Sequence, residues 1–228
     1  MERESRYRDR RHAGRVLASK LERYANQAGV IVLALPRGGV PVGYEVALHL
    51  RAALDVFVVR KLGVPGDEEL AMGAVASGGV RVLNDAVVEQ LGVTESVVAE
   101  VTARELAELL RRERAYRGNL PPLDLTDRTV ILVDDGLATG ATMTAAILGV
   151  RQHAPHRIVV GVPIASPGIC EEIGALVDDM TCAATPEGFS SVGAWYANFE
   201  QTTDAEVRAL LDAARAAEQW QPPSMNAS

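Results

Sequence analysis

Two adjacent aspartates, Asp134 and Asp135, follow an apolar run in this chain. The run, Val130–Val133, has the composition of a buried strand, and the carboxylates stand directly at its end. Two charged groups at such a place are unfavourable unless charged partners or a polyhydroxylated ligand meet them there. The pair therefore indicates a site that binds hydroxyl groups.

The turn after the aspartates has the composition of a phosphate-binding loop. It supplies small residues, two hydroxyls and the start of a predicted helix: Gly136, Leu137, Ala138, Thr139, Gly140, Ala141 and Thr142. Free backbone N–H groups and the positive end of a helix dipole attract a phosphate. The turn has no lysine, so it is not a Walker loop. The acid pair and the turn together indicate a ribose 5-phosphate, whereas the plainer alternative is an ordinary turn in which Thr139 caps the helix and the aspartates face water.

Alternating strands and helices surround this turn. The predicted elements are, in order, a helix over Asp9–Ala28, a strand over Val30–Leu35, a helix over Val42–Leu50, a strand over Asp55–Arg60, helices over Asn84–Leu91 and Thr94–Arg117, a strand over Thr129–Val133, a helix to about Gln152, a strand over Arg157–Ile164, a helix over Gly168–Val177 and a strand near Met180–Ala183. This alternation specifies an α/β fold, a Rossmann-like parallel sheet with helices on both faces. We predict one domain over residues 1–220, with its core at about 30–183, and a disordered tail at 221–228.

The segment Val133–Thr142 resembles the motif by which type I phosphoribosyltransferases bind 5-phosphoribosyl-1-pyrophosphate (PRPP). The shared pattern is two acids, three mostly apolar residues and Thr-Gly-x-Thr. The resemblance implies the type I fold, with a flexible loop and a small hood over the site. It also implies that Asp134 and Asp135 bind the ribose hydroxyls, and that they hold Mg²⁺ indirectly, through PRPP or water. The 5-phosphate would lie against Ala138, Thr139, Gly140, Ala141 and Thr142.

Two further segments match this family. Pro36-Arg37-Gly38-Gly39 follows the first predicted strand and is similar to the pyrophosphate loop, where glycine lets the backbone approach an anion. Arg60 and Lys61 stand at the end of the second strand, where two cations favour pyrophosphate. The alternatives are an ordinary strand-to-helix turn and a pair of surface charges. The glycine-rich stretch Leu62–Gly79 is predicted as a long mobile loop or a loose hairpin, in the position of the family's covering loop.

The implied reaction moves the phosphoribosyl group of PRPP to a ring nitrogen of a heterocyclic base and releases pyrophosphate. Arg37, Arg60 and Lys61 would stabilise the charge that develops on the leaving group, with Mg²⁺ and the acid pair completing the catalytic set. No residue of the sequence is identified as the general base. Ala138 stands where hypoxanthine–guanine enzymes have an aspartate, and Leu-Ala-Thr-Gly is closer to the adenine enzymes, so a purine is a lead and the acceptor stays open.

The aromatic residues that could stack on a base are concentrated after the last predicted strand. They are Phe189, Trp195 and Tyr196, followed by Phe199. A hood over about residues 184–200, alone or together with the N-terminal helix, would place such rings near the site. The alternative is a small hydrophobic cluster that only closes the domain.

Composition and charge limit the remaining functions. The net charge is −7 and the sequence pI about 5.2, which argues against a global basic field for nucleic acid. Cys170 and Cys182 form no CxxC motif, so we expect neither a disulfide framework nor a thiolate metal site, as in a reducing cytoplasm. No run has the length of a membrane span.

Two other classes of function remain as alternatives. One is a non-catalytic regulator that senses PRPP or nucleotides and binds RNA, DNA or a protein. A cluster of N-terminal arginines leaves room for it, although acidic residues are interspersed and the cluster is more typical of a solvated helix start: Arg3, Arg6, Arg8, Arg10, Arg11 and Arg15. The other makes Asp134 a phosphatase nucleophile or a phosphoacceptor, and no second motif supports it. The family resemblance also implies a homo-oligomer, such as a dimer.

Overall fold

The computed structural model describes residues 7–219, and their elements alternate as the sequence predicts. The strands are β1 (Val30–Ala34), β2 (Ala53–Val56), β3 (Val59–Val64), β4 (Asp67–Ala76), β5 (Val80–Leu83), β6 (Thr129–Val133), β7 (Arg157–Ile164) and β8 (Asp179–Ala184). The helices are α1 (Arg10–Lys20), α2 (Gly39–Leu50), α3 (Asp85–Gln90), α4 (Glu95–Arg117), α5 (Ala141–Arg151), α6 (Pro167–Gly174) and α7 (Asp204–Gln219). The predicted disordered tail at 221–228 lies outside the described residues.

A five-stranded parallel sheet in the order β2-β1-β6-β7-β8 forms the centre of the molecule. Alternate residues of β1 point to opposite faces, so Val32 packs in the core beneath α1, α2, α4 and α7, while Leu33 packs in the core beneath α5 and α6. Helices therefore cover both faces, and the predicted α/β class is confirmed.

The second predicted strand, Asp55–Arg60, is wrong as a single element. The chain leaves the parallel sheet after Val56 and enters a separate antiparallel sheet, in the order β3-β4-β5. Arg60 and Lys61 therefore lie within β3, not at the end of a parallel strand. In the sequence, the apolar residues of β2 and β3 form one continuous run, because no residue type in it marks the point at which the chain changes sheet.

The stretch Leu62–Gly79 was predicted as a long mobile loop or a loose hairpin, and the structure has the hairpin, formed by β3 and β4. The glycines had suggested irregular backbone, yet Leu62, Met72 and Val75 are buried and anchor the hairpin against the core. Gly73 lies close enough to Val82 that a Cβ there would be 2.4 Å from the carbonyl oxygen. Glycine at this position therefore allows β4 and β5 to approach each other closely, and it does not mark a turn.

Other differences lie at helix ends and at the cysteines. The first helix ends at Lys20 and is followed by a 3-10 turn, Glu22–Tyr24, so the predicted extension to Ala28 is wrong. Helix α7 was not predicted, although Val207, Leu211 and Ala214 are buried at helical spacing.

Cys170 of α6 and Cys182 of β8 form a disulfide, which corrects the expectation of two unpaired thiols and removes the argument for a reducing compartment.

Candidate active site

The two predicted binding loops touch because β1 and β6 are neighbours in the sheet. Leu35 N donates to Val133 O at 2.9 Å, at the carboxyl ends of both strands. A Cβ on Gly38 would lie 2.1 Å from Oδ2 of Asp135, and one on Gly39 would lie 2.7 Å from Val133 O. Side chains cannot fit there, so the Pro36–Gly39 loop and the acid pair form one continuous surface. The Pro36–Arg37 peptide bond in this loop is cis.

The acid pair is partly buried at this surface. Asp135 N donates to Oδ1 of Asp134 at 2.8 Å. Burial, and then the neighbouring charge of Asp135, raises the pKa of Asp134 well above the usual range of an aspartate. Burial also raises the pKa of Asp135, although Arg10 opposes this shift. Two carboxylates that are this poorly solvated are suited to accepting hydrogen bonds from a polar ligand.

Arg10 of α1 contacts the acid pair directly, which sequence reasoning missed. Its Nε donates to Oδ2 of Asp135 at 2.7 Å, and its Nη1 donates to the carbonyl oxygen of Glu200 at 2.7 Å. Its guanidinium carbon lies 3.9 Å from the centre of the Phe199 ring. The N-terminal arginines looked like a solvated face, and no local pattern links residue 10 to residue 135.

The predicted phosphate loop surrounds a small recess above the start of α5. This recess has a volume of about 170 Å³ and is lined by Asp134, residues 136–143 and Val192. Gly140 precedes α5 with φ +71°, a conformation that favours glycine. Thr139 Oγ1 accepts a long hydrogen bond of 3.5 Å from Ala141 N. Ala138, Thr139, Ala141 and Thr142 are exposed, so both hydroxyls and the helix N-terminus are open to a ligand.

Arg37 of the predicted pyrophosphate loop faces the start of helix α7. Its Nη1 lies 3.7 Å from Oδ1 of Asp204, and Tyr116 OH donates to the same oxygen at 2.8 Å. About a third of the Arg37 side chain is exposed. An anion in the loop could therefore recruit this cation from a long, weak ion pair.

Arg60 and Lys61 lie on the antiparallel sheet and face different neighbours. Arg60 donates to Oε2 of Glu105 on α4 through Nε at 2.9 Å and Nη2 at 2.6 Å. Lys61 lines a groove of about 440 Å³ between the antiparallel sheet and α5, a groove that Ala141 of the phosphate loop also lines. Successive strand residues point to opposite faces, so the two cations of the Arg-Lys pair are directed apart.

The aromatic cluster packs down onto the acidic turn. Tyr196 is buried between Tyr7 and Phe199, with ring centres 5.5 and 4.9 Å away, and its hydroxyl donates to the carbonyl oxygen of Asp135 at 2.5 Å. Phe189 and Trp195 are partly buried against the same cluster. The Tyr196 ring therefore leaves no open face for a base, while Phe189 and Trp195 stay as predicted stacking residues.

The N-terminal segment and the segment after β8, the two candidates for the predicted hood, contact each other. Tyr7 N donates to Trp195 O at 2.9 Å and Ala197 N donates to Tyr7 O at 2.8 Å, which forms a parallel bridge between the segments. Val192 covers the turn itself, since a Cβ on Gly136 would lie 2.7 Å from a Val192 methyl group. The sequence had left open which segment forms the hood, and here the two are hydrogen-bonded to each other.

The acid pair suits a magnesium ion that is held through a ligand rather than by the protein alone. Within residues 7–219, no cluster of three or more His, Cys, Asp or Glu side chains could hold a metal ion. One carboxylate of the pair already accepts from Arg10. Mg²⁺ commonly uses one or two carboxylates together with substrate phosphates and water, and Asp134 and Asp135 fit that pattern.

Comparisons with known proteins identify the family to which the chain is similar. A family model described as the phosphoribosyl transferase domain matches residues 7–191. A Mycobacterium tuberculosis H37Rv protein whose name assigns it provisionally to the phosphoribosyl transferases is 48% identical over 206 residues. The alignment covers 90% of this chain but 46% of the relative, so the chain spans about half the length of that protein.

A solved structure shares the whole fold. The crystal structure of TT1426 from Thermus thermophilus is 43% identical and superimposes with a TM-score of 0.81, covering 90% of this chain and 97% of that one. A shorter match, 38% identical over 74 residues, is to a protein of Streptococcus gordonii named bifunctional protein PyrR, and it covers 32% of this chain and 42% of that protein.

Among the described residues, none of the helices is both long and apolar enough to cross a membrane.

Proposed function

The chain belongs to the phosphoribosyl transferase domain family, and we propose that it transfers the 5-phosphoribosyl group of PRPP to a nitrogen heterocycle. The observation that carries this proposal is the contact between the Pro36–Gly39 loop and the acid pair, beside the recess of the phosphate loop. One surface thus offers carboxylates for hydroxyls and a helix N-terminus for a phosphate. It also offers a loop with a nearby arginine for a second anionic group.

The proposed reaction replaces one bond at C1′ of the ribose with another. A ring nitrogen of the acceptor forms a bond to C1′ while the bond to the pyrophosphate oxygen breaks, and that oxygen keeps the electron pair. The acceptor nitrogen loses its proton to a base that we do not assign. Asp134 and Asp135 accept hydrogen bonds from the ribose hydroxyls, and residues 138–142 hold the 5-phosphate. Arg37 and Lys61 are the cations that we place beside the departing pyrophosphate.

Magnesium is part of the proposal because the leaving group is a pyrophosphate. The ion would supply positive charge to the pyrophosphate oxygens when bound. Asp134 and Asp135 would hold it indirectly, through PRPP or water. The acceptor is proposed to be a nucleobase, with a purine as the lead, which would place the protein in nucleotide metabolism in the cytoplasm.

The arginines of the N-terminal helix favour the enzyme over a regulator that binds nucleic acid. Arg10 pairs with Asp135, and both Arg11 and Arg15 pair with Glu45 of α2. Farther along, Arg23 pairs with Asp179. These guanidinium groups are paired within the protein, which weakens the case for a basic surface that binds a phosphate backbone. Arg3 and Arg6 of the cluster lie outside the described residues.

Base-dependent release of pyrophosphate tests the proposal. The protein is incubated with PRPP, Mg²⁺ and a panel of bases, alongside the double variant Asp134→Asn/Asp135→Asn. A matched control, Asp124→Asn/Asp127→Asn, removes two exposed carboxylates near the opposite end of β6. We expect release with one base, loss of release in the first variant and normal release in the control. PRPP binding without release for any base would favour a sensor, and failure to bind PRPP would refute the proposal.

A further inference from the structure

Arg10 is held at the acid pair by three different contacts. It donates to the carboxylate of Asp135 and to the carbonyl oxygen of Glu200, and its guanidinium lies against the Phe199 ring. Its side chain is 11% exposed, and that of Asp135 is 15% exposed. An arginine fixed by a carboxylate, a carbonyl and a ring has little freedom to rotate, so the Asp135 oxygen that it contacts has a defined position.

Asp135 is fixed from a second side by the same cluster. Tyr196, whose ring packs against Phe199, donates its hydroxyl to the backbone carbonyl of Asp135. Arg10 therefore restrains the side chain of Asp135 and Tyr196 restrains its backbone. Tyr196, which the sequence suggested for stacking on a base, holds this aspartate instead.

The charge of Arg10 matters because of what the site is proposed to bind. PRPP carries a phosphate and a pyrophosphate, and both would approach a surface that already holds two neighbouring carboxylates. Like charges repel strongly where solvent screening is weak, and this site is partly buried. A guanidinium in contact with Asp135 offsets one of the two negative charges, so an anionic sugar can lie beside the pair.

We propose that Arg10 is a positioning residue for phosphoribosyl transfer, which orients and neutralises Asp135 so that the acid pair can bind the ribose of PRPP. The inference rests on the proposed function. It assigns a role in ligand binding to a residue of the N-terminal helix that lies 125 positions before its partner. Arg10 acts through Asp135 and does not itself contact the substrate.

The test is the dissociation constant for PRPP with Mg²⁺, measured by calorimetry on the whole chain. Arg10→Gln removes the charge, and Arg10→Lys keeps it. Arg8→Gln is the matched control, because Arg8 is an exposed arginine two residues away. We expect Arg10→Gln to weaken binding at least tenfold, Arg10→Lys to recover part of that loss, and Arg8→Gln to stay within twofold of the unchanged protein.

A double-mutant cycle separates positioning from direct contact and from a merely structural role. If Arg10 acts through Asp135, then Arg10→Gln has less than a twofold effect on PRPP binding when Asp135→Asn is already present. Equal losses in both backgrounds would mean that Arg10 binds the ligand itself, which overturns the positioning role. A lower melting temperature for Arg10→Gln, with PRPP binding unchanged in the folded protein, would show a structural role and would overturn it as well.

Two outcomes separate this inference from the proposed function. If the unchanged protein binds PRPP and Arg10→Gln binds it as well as Arg8→Gln does, the inference alone is wrong. If the unchanged protein does not bind PRPP, the proposed function is wrong and the inference is wrong with it.

A second variant covers the case in which Arg10→Gln fails to fold. Phe199→Leu removes the ring beneath the guanidinium and is expected to weaken PRPP binding about threefold. An unchanged affinity in that variant would also overturn the inference.

Discussion

Arg60 of β3 is bound by Glu105 of α4, with two of its nitrogens donating to a single carboxylate oxygen at 2.9 and 2.6 Å. Arg60 was predicted to bind pyrophosphate, and the two roles compete for the same donors. Glu105 is 8% exposed, so it is poorly placed to exchange Arg60 for water. The Nε and Nη2 donors of Arg60 are therefore available to a ligand only if they leave this carboxylate.

The first prediction follows from that competition. Glu105→Gln removes the charge that holds Arg60 while keeping a side chain of the same shape, so Arg60 can turn toward an anion at a lower free-energy cost. We expect pyrophosphate to bind about fivefold more tightly, roughly 1 kcal/mol. Calorimetric titration with pyrophosphate and Mg²⁺ measures this change.

Glu108→Gln is the control for Glu105→Gln. Glu108 also lies on α4 and pairs with arginines, but those are Arg111 and Arg112 of the same helix. Its substitution should leave pyrophosphate affinity unchanged. Weaker binding in Glu105→Gln would show instead that Glu105 orients Arg60 for the ligand.

A second prediction concerns Gly38. An added methyl group there would lie 2.1 Å from Oδ2 of Asp135, so Gly38→Ala has to displace the aspartate or the loop. We expect pyrophosphate release to fall at least a hundredfold, because misplacing a binding group by about 1 Å can lower a rate that much. The residue has φ −59°, which alanine adopts freely, so backbone strain does not contribute to the loss.

Gly168→Ala is the matched substitution for the Gly38 experiment. Gly168 is the second residue of α6 and has no atom within 4 Å of an added Cβ, so activity should be retained. Normal turnover by Gly38→Ala would mean that the Pro36–Gly39 loop does not need to contact the acid pair.

The disulfide supplies a third prediction, because it ties α6 to β8 beside the phosphate loop. Ile169 and Ile173 of α6 lie 3.4 and 3.2 Å from the position of a Cβ on Gly140. Replacing Cys170 and Cys182 with serine opens a loop with a sequence separation of 12, which we expect to lower the free energy of unfolding by about 2–3 kcal/mol. Chemical denaturation with and without a reductant measures this effect.

The serine variant has an internal control. Reductant should destabilise the unchanged protein to the level of the double variant and should not affect the double variant further. If reductant leaves the unchanged protein's unfolding curve where it was, the two cysteines are not paired in solution.

A fourth prediction concerns the pH dependence of stability at Asp179. Burial alone would raise the pKa of this carboxyl, but hydrogen bonds from Tyr24 and Arg23 outweigh it and hold the pKa below the ordinary 3.8. A lowered pKa stabilises the fold above pH 3.8, and this stabilisation is lost as the pH falls through the folded-state value. Asp179→Asn should therefore lower stability by roughly 1 kcal/mol at pH 7 and have a smaller effect near pH 2.

Thermal melts at both pH values measure the Asp179 effect. Asp212→Asn is the control, since Asp212 pairs with Arg215 of the same helix, α7, and is largely exposed. Its stability change should be small at either pH. An Asp179→Asn effect of the same size at pH 2 and pH 7 would contradict an ionised role for Asp179.

The parts of the site that the sequence predicts are local in the chain. Strand β6, the acidic turn and helix α5 are consecutive, so apolar composition, carboxylates and small residues identify them together. The pairs that complete the site are far apart in sequence, such as Arg10 with Asp135 and Arg60 with Glu105, and side-chain type does not reveal which charges will meet. Tyr196 illustrates the limit, because an aromatic ring near a site can equally pack in the core or stack on a ligand.

The bridge between Tyr7 and Tyr196 has a consequence for the order in which the molecule is made. On a ribosome, Arg10 is synthesised early, whereas Phe199 and Glu200, which hold it in place, follow 189 and 190 residues later. Strand β6, which leads into the acid pair, can fold before that time, since it pairs with β1 and not with the hood. A nascent chain thus has its two aspartates in place before Tyr196, Phe199 and Glu200, which restrain Asp135 directly or through Arg10, have been synthesised. We therefore expect the chain to become able to bind a ligand only late in synthesis.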